Sequence, residues 1–142
     1  MTLIDTFRSA QDPIYSLVVS ELKAGRKRSH WMWFIFPQLS GLGSSDMSQR
    51  YGLASIEAAR VYASDPVLFD RLMECCDLLL SHRKKPIKQL LGSPDDMKLK
   101  SSMTLFSMAL PDEPTFTEVL DLFFEGSVDT FTLELLASKQ VS

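Results

Sequence analysis

The chain has 142 residues, 45% of them hydrophobic and 23% charged, which is enough for one proper core and too little for two. Its net charge of −3 supplies no overall field for gathering nucleic acid, so a nucleic-acid partner is not expected, while a local basic patch can still hold an anion. Asp5 stands where a signal peptide needs an apolar run, and the longest apolar run, Trp31 to Phe36, is too short to cross a bilayer; a cytoplasmic protein is expected.

Helix punctuation runs along the chain. Asp12-Pro13 reads as an N-cap with proline at the first helical position, and Gly25 as the stop; Ile14, Leu17, Val18 and Leu22 recur between them at helical spacing. Periodicity does not choose between helix and strand for Trp31 to Phe36, but a lone strand would leave its backbone unpaired, so helix is expected. Pro37 to Ser48, with Gly41, Gly43, Ser44 and Ser45, reads as an irregular loop; it lacks the lysine and the preceding strand of a phosphate-binding glycine loop.

Asp65-Pro66 repeats the start signal for a helix carrying Phe69, Leu72, Met73, Cys76, Leu79 and Leu80 on one stripe and ending near His82. Cys75 and Cys76 are neighbours on that helix and point in different directions, so both are expected as free core thiols in a reducing compartment. Pro86 to Leu91 is a short helix stopped by Gly92. Ser93-Pro94-Asp95-Asp96 then reads as an N-cap, a first-position proline and two acids over the positive helix end. Leu99, Met103, Phe106 and Leu110 form its buried stripe. Thr115 to Glu118 has the form of a capping box, and Asp129 caps the last helix. No segment alternates like a sheet strand with hairpin turns. The expectation is a single all-α domain over residues 1–142, with about seven to nine helices and no significant sheet.

Two constellations carry polar groups that their helices do not need. In Arg26-Lys27-Arg28-Ser29-His30-Trp31-Met32-Trp33, cations precede an aromatic block. Guanidinium groups grip phosphate or carboxylate, amides at a helix start add to this, and indoles stack on planar rings. The alternative is a solvated basic turn before a buried aromatic anchor. His30 is expected as a neutral ring, more often structural than catalytic. In the second constellation, capping accounts for Asp95 and Asp96, whereas Lys98, Ser101 and Ser102 share a face apart from the apolar stripe. With two histidines, no C-x-x-C and no H-E-x-x-H, neither a metal nor another cofactor is expected.

The run Gly25 to Gln38, followed by Gly41-Leu42-Gly43, resembles the signature of the DUF1810 family. Pro94-Asp95-Asp96-Met97-Lys98 with Ser101 to Phe106 is similar to that family's second block. The resemblance covers nearly the whole chain. It implies an all-α fold and transfers no catalytic residue. Some members carry a calpastatin label, but this chain has none of the disordered, weakly hydrophobic repeats such a label implies.

The functional expectation is a pocket for a small anionic, nucleotide-like or phosphorylated ligand near Arg26 to Gln38. Arg26 and Lys27 would hold the anion, Trp33 or Trp31 would stack, and His30 and Gln38 would orient it. Lys98 and Ser102 would converge from the second block, and Lys27→Ala or Ser102→Ala would leave stability within about 0.5 kcal/mol, as at an ordinary surface position. The alternative is a protein-interaction module docking through Trp31 to Phe36, which predicts an exposed apolar patch around Trp31 and Phe34.

Overall fold

A computed structural model describes residues 1–141 of the chain. Among the described residues there are ten helices: α1 (Leu3–Gln11), α2 (Tyr15–Ala24), α3 (Met32–Ile35), α4 (Asp46–Tyr51), α5 (Ile56–Ser64), α6 (Pro66–Leu80), α7 (Ile87–Leu91), α8 (Asp95–Ala109), α9 (Thr115–Phe124) and α10 (Thr130–Val141). No sheet accompanies them. The β-pairing present is an isolated parallel bridge between Leu39 and Leu53.

The core is organised by α8. Residues 101 to 106 are buried without a break, so every face of this helix is covered. It packs against α9 and α5 most extensively, and also against α7 and α10. Aromatic rings tie the layers together: Phe7 meets Tyr62 edge-on at 5.0 Å, Tyr62 meets Phe106 at 5.6 Å, and Phe106 stacks on Phe116 at 5.5 Å. Each such ring stabilises by about 1.5–3 kcal/mol through burial alone. Complete enclosure also corrects the expected polar face of α8. Ser101 and Ser102 lie inside the protein, not on a solvated band.

Most helix starts are where capping chemistry puts them. Asp65 accepts from the Leu68 amide at 3.0 Å and Pro66 opens α6. Asp129 accepts from the Thr132 amide at 3.2 Å, and Ser101 Oγ binds the same carboxylate oxygen at 2.9 Å, locking α10 to α8. Three helices exceed the expected set. α1 starts at a reciprocal box between Thr2 and Asp5, while α4 and α5 start on Ser45 and Ser55 hydroxyls.

Three expected starts differ. Asp12 closes α1 through its amide, and its carboxylate pairs with Arg71 at 2.9 Å, so α2 begins only at Tyr15. Ser93 Oγ donates to Asp96 at 3.1 Å while Pro94 takes the N-cap position of α8. Thr115 lies inside α9, and its amide and hydroxyl both donate to Glu113, so no capping box to Glu118 forms. In each case a charged or polar neighbour competes for the group that local pattern assigns to a cap.

Cys75 and Cys76 are free and buried; burial pushes the Cys75 thiol up to about 12 and raises that of Cys76 as well. Among the described residues no helix is long and apolar enough to cross a membrane.

Candidate functional site: an aromatic cavity beside a lysine-bridged carboxylate

The basic loop after α2 is folded around a carboxylate. Gly25 ends α2 at φ +74°, a conformation that favours glycine, and the chain turns back over Glu21. Glu21 accepts from the Arg28 amide at 2.8 Å, the Ser29 amide at 3.0 Å, Ser29 Oγ at 2.6 Å and Trp31 Nε1 at 3.0 Å. Burial by itself would raise this carboxyl, but the donors from Ser29, Arg28 and Trp31 win and hold it down at about 2. The amides that the sequence offers to an external anion are therefore taken by the protein's own Glu21.

Beyond the loop, the two polar blocks meet. The Lys27 amide donates to the Leu90 carbonyl at 2.8 Å, which fixes the loop against α7. Lys27 Nζ reaches Asp95 at 2.8 Å, donates to the Ser29 carbonyl and lies 4.9 Å from the centre of the Trp31 ring. One helical turn on, Lys98 Nζ is 3.3 Å from the other Asp95 oxygen and 4.3 Å over the Trp33 ring. Asp95 is thus a bridge between two lysines, each of which also faces an indole. Helix capping alone does not describe it. Three charged groups leave one net positive charge at this point.

That charge borders a cavity of ≈ 350 Å³. Trp33, Leu39, Leu42 and Tyr51 supply its apolar wall, and Gln38, Ser45, Ser48 and Lys98 supply polar groups. The glycine-serine loop forms one side and is pinned at its base. Ser40 N donates to the Leu53 carbonyl and Leu53 N to the Gln38 carbonyl, both at 2.8 Å. Gly52 lets the loop close, because a Cβ there would stand 2.8 Å from both Ser40 Cα and the Ser48 carbonyl. An apolar, partly aromatic wall with a few polar groups is the composition common to small-molecule pockets.

The seven residues singled out in the sequence are distributed unequally. Trp33, Gln38 and Lys98 line this cavity. Lys27 is one carboxylate away and largely buried, so it supports Lys98 through Asp95. Arg26 lies on a separate basic groove. His30 is exposed, hydrogen-bonds to nothing among the described residues and does not line the cavity. Ser102 is fully buried one turn beyond Lys98, its hydroxyl has no hydrogen-bond partner among the described residues, and it does not line the cavity either.

His30 and Ser102 are therefore not brought together. The first is turned outward where Glu21 has gathered the loop inward, and the second lies inside because α8 is enclosed. Trp31 and Phe34 are buried too, so no exposed apolar patch surrounds them. The sequence reading passed over Tyr51, Leu39 and the bridging role of Asp95. Tyr51 ends α4, and the Ser45 cap was the signal that could have placed it.

Fold and site together define a small helical domain with an aromatic-walled, lysine-edged cavity. The chain belongs to the DUF1810 family, described as proteins of unknown function, whose model matches residues 2–136. It is similar to the conserved hypothetical protein Rv1873 from Mycobacterium tuberculosis, whose crystal structure was solved at 1.38 Å. The two share 47% identity over 94% of this chain and 96% of that one, with a TM-score of 0.92. No curated protein matches the chain.

Proposed function

We propose that the protein binds a small, planar, negatively charged ligand, nucleotide-like or a phosphorylated aromatic, in the cavity beside Trp33. The observation that carries this reading is Lys98 held 4.3 Å over the Trp33 ring at the cavity wall while sharing its carboxylate partner with Lys27. The ammonium covers one face of the indole and is incompletely neutralised, so the same cavity wall offers aromatic surface and a cation to a ring and its acidic substituent. Gln38, Ser45 and Ser48 provide the few hydrogen-bonding groups that orient such a ligand. Burial of Trp31 and Phe34 favours this reading over docking of a protein through the aromatic block.

The test is a thermal-shift screen of the purified protein against nucleotides, ADP-ribose-like compounds and sugar phosphates. A ligand at a hundred times its dissociation constant stabilises by about 2.7 kcal/mol. Lys98→Ala is expected to weaken the responding ligand by about 1–3 kcal/mol, the loss of a charged hydrogen bond. Failure of every planar anion to shift the transition, or an undiminished shift in Lys98→Ala, would refute the assignment.

A further inference from the structure

Positive charge collects on a second face. Two concavities of ≈ 560 and ≈ 270 Å³ adjoin there, and Lys85 lines both. The larger lies between the end of α2 and α7, with Arg26, Lys27, Lys85 and Lys88 in its walls and Gly25 and Gly92 in its backbone. The smaller is formed by the turn after α6, with His82, Arg83 and Lys84. No Asp or Glu lines either concavity.

Helix-end compensation accounts for only part of this charge: Lys88 lies in the last turn of α7, but Arg83, Lys84 and Lys85 lie outside any helix. α2, α6 and α7 all end here, and a cation near a helix C-terminus is stabilising in itself. His82 Nε2 donates to the Leu22 carbonyl in the last turns of α2 at 2.8 Å. Among the described residues the side chains of Arg26, Arg83, Lys84, Lys85 and Lys88 bond to no helix carbonyl and join no ion pair, although the Arg26 amide itself donates to the Glu21 carbonyl at 3.1 Å. Lys27, in the same wall, is paired with Asp95, and Arg8, Arg60, Arg71 and Lys98 each hold a carboxylate elsewhere in the protein, whereas Lys23, Arg28, Arg50 and Lys100 hold none among the described residues but line neither concavity. Five cations with no carboxylate partner among the described residues thus share one track, joined at Lys85, on a chain whose net charge is −3. Net charge averages over faces, so the acidic total conceals this segregation.

We propose that this track binds the phosphodiester backbone of a nucleic acid, without reading its bases. Arginine forks and mobile ammonium groups match successive phosphates. The walls contain no Phe, Tyr or Trp on which a base could stack, and the one ring in them, His82, is tied edge-on to the Leu22 carbonyl through Nε2. A protein partner would be expected to find a buried aromatic or aliphatic anchor, and the track has none. A membrane surface would be expected to engage exposed apolar side chains, yet Leu17, Val61, Met97, Met108 and Phe131 all lie outside the lining. The ligand of the aromatic cavity is a separate matter, because none of the five cations borders that cavity.

The experiment is fluorescence anisotropy with labelled single-stranded and duplex oligonucleotides of mixed sequence, titrated with the intact protein. Binding at low salt is expected to be insensitive to sequence. With four phosphates neutralised, affinity falls about fifty-fold or more between about 50 and 200 mM salt, and the preferred arm tells strand from duplex. The double variant Arg26→Glu with Lys88→Glu is expected to lose at least tenfold in affinity at the lower salt. A second pair, Arg83→Glu with Lys84→Glu, repeats the test on the other end of the track. Both pairs should keep the helical circular dichroism and melting transition of the parent protein. Absence of binding at about 50 mM salt, undiminished binding in both folded pairs, or tighter binding to polyglutamate or to anionic vesicles than to either oligonucleotide would overturn the proposal.

Discussion

Lys27 separates a solvated basic turn from a built element of the fold. Its side chain is only 6% exposed, and its ammonium engages Asp95, the Ser29 carbonyl and the face of Trp31 at once. In Lys27→Ala the carboxylate is not orphaned, because Asp95 keeps Lys98 at 3.3 Å and is itself 18% exposed. The full 3–5 kcal/mol for breaking a buried pair therefore does not apply. What goes is a charge-assisted hydrogen bond of about 1.5–3 kcal/mol and a cation–ring contact of about 0.5–2 kcal/mol, which overlap. The packed stem goes with them.

The expected loss is about 2–4 kcal/mol, or a fall in melting temperature of roughly 6–12 °C for a domain of this size. Urea unfolding of Lys27→Ala, Lys27→Met, Asp95→Ala and the double variant Lys27→Ala/Asp95→Ala measures it. Methionine should recover the stem and not the charge, and the cycle should give a coupling of about 1–3 kcal/mol. A loss below about 0.5 kcal/mol would return Lys27 to an ordinary surface position and refute the reasoning, the bridge to Lys98 included.

Other outcomes follow from the same geometry. The Glu21 carboxyl is held at about 2 in the folded protein against an ordinary 4.5, so its stabilisation is complete above 4.5 and drains away as the pH falls from there toward 2. Unfolding free energies from urea titrations down that range should drop by up to about 3 kcal/mol, and the profile should flatten in Glu21→Gln, which also loses about 2–4 kcal/mol at neutral pH; parallel profiles for the two proteins would contradict the network. Gly52→Ala forces a Cβ to 2.8 Å from backbone atoms of Ser40 and Ser48, and calorimetry should register about 1–3 kcal/mol of destabilisation. The ligand of the adjoining cavity should bind more weakly as well. Cys75 and Cys76, buried and with thiol acidity suppressed, should resist an aromatic disulfide reagent in the native state and both react after unfolding in denaturant.

Helix class and most boundaries were legible because caps and stops act within four residues. Asp65-Pro66 opens α6, Gly92 closes α7, and Asp129 caps α10 with its own side chain. α4 and α5 are under three turns long and adjoin irregular chain with no proline start signal, so the Ser45 and Ser55 caps were the signals that could have placed them. At Asp12 and Thr115 the local pattern was present, but partners outside it, Arg71 and Glu113, took the groups that the pattern assigns to a cap.

Of the candidate cavity, three residues could be named in advance, since Trp33, Gln38 and Lys98 are polar or aromatic groups their own helices leave unexplained. Their convergence was decided elsewhere. Asp95 looks like a capping acid in sequence, and only the approach of the α2–α3 loop to the start of α8 puts it between Lys27 and Lys98. Tyr51 and Leu39 enter the wall because the bridge from Leu39 to Leu53 folds the glycine-serine loop back on itself.

The sequence by itself therefore determined an all-helical chain, its stops and starts, and which side chains were surplus to local structure. Tertiary structure alone decided which of those surplus groups face one another. Glu21 drew the loop amides inward and left His30 in solvent, and full enclosure of α8 took Ser102 into the core. Capping depends on neighbours within a turn, whereas a cavity depends on packing between residues tens of positions apart, about which local periodicity carries no information.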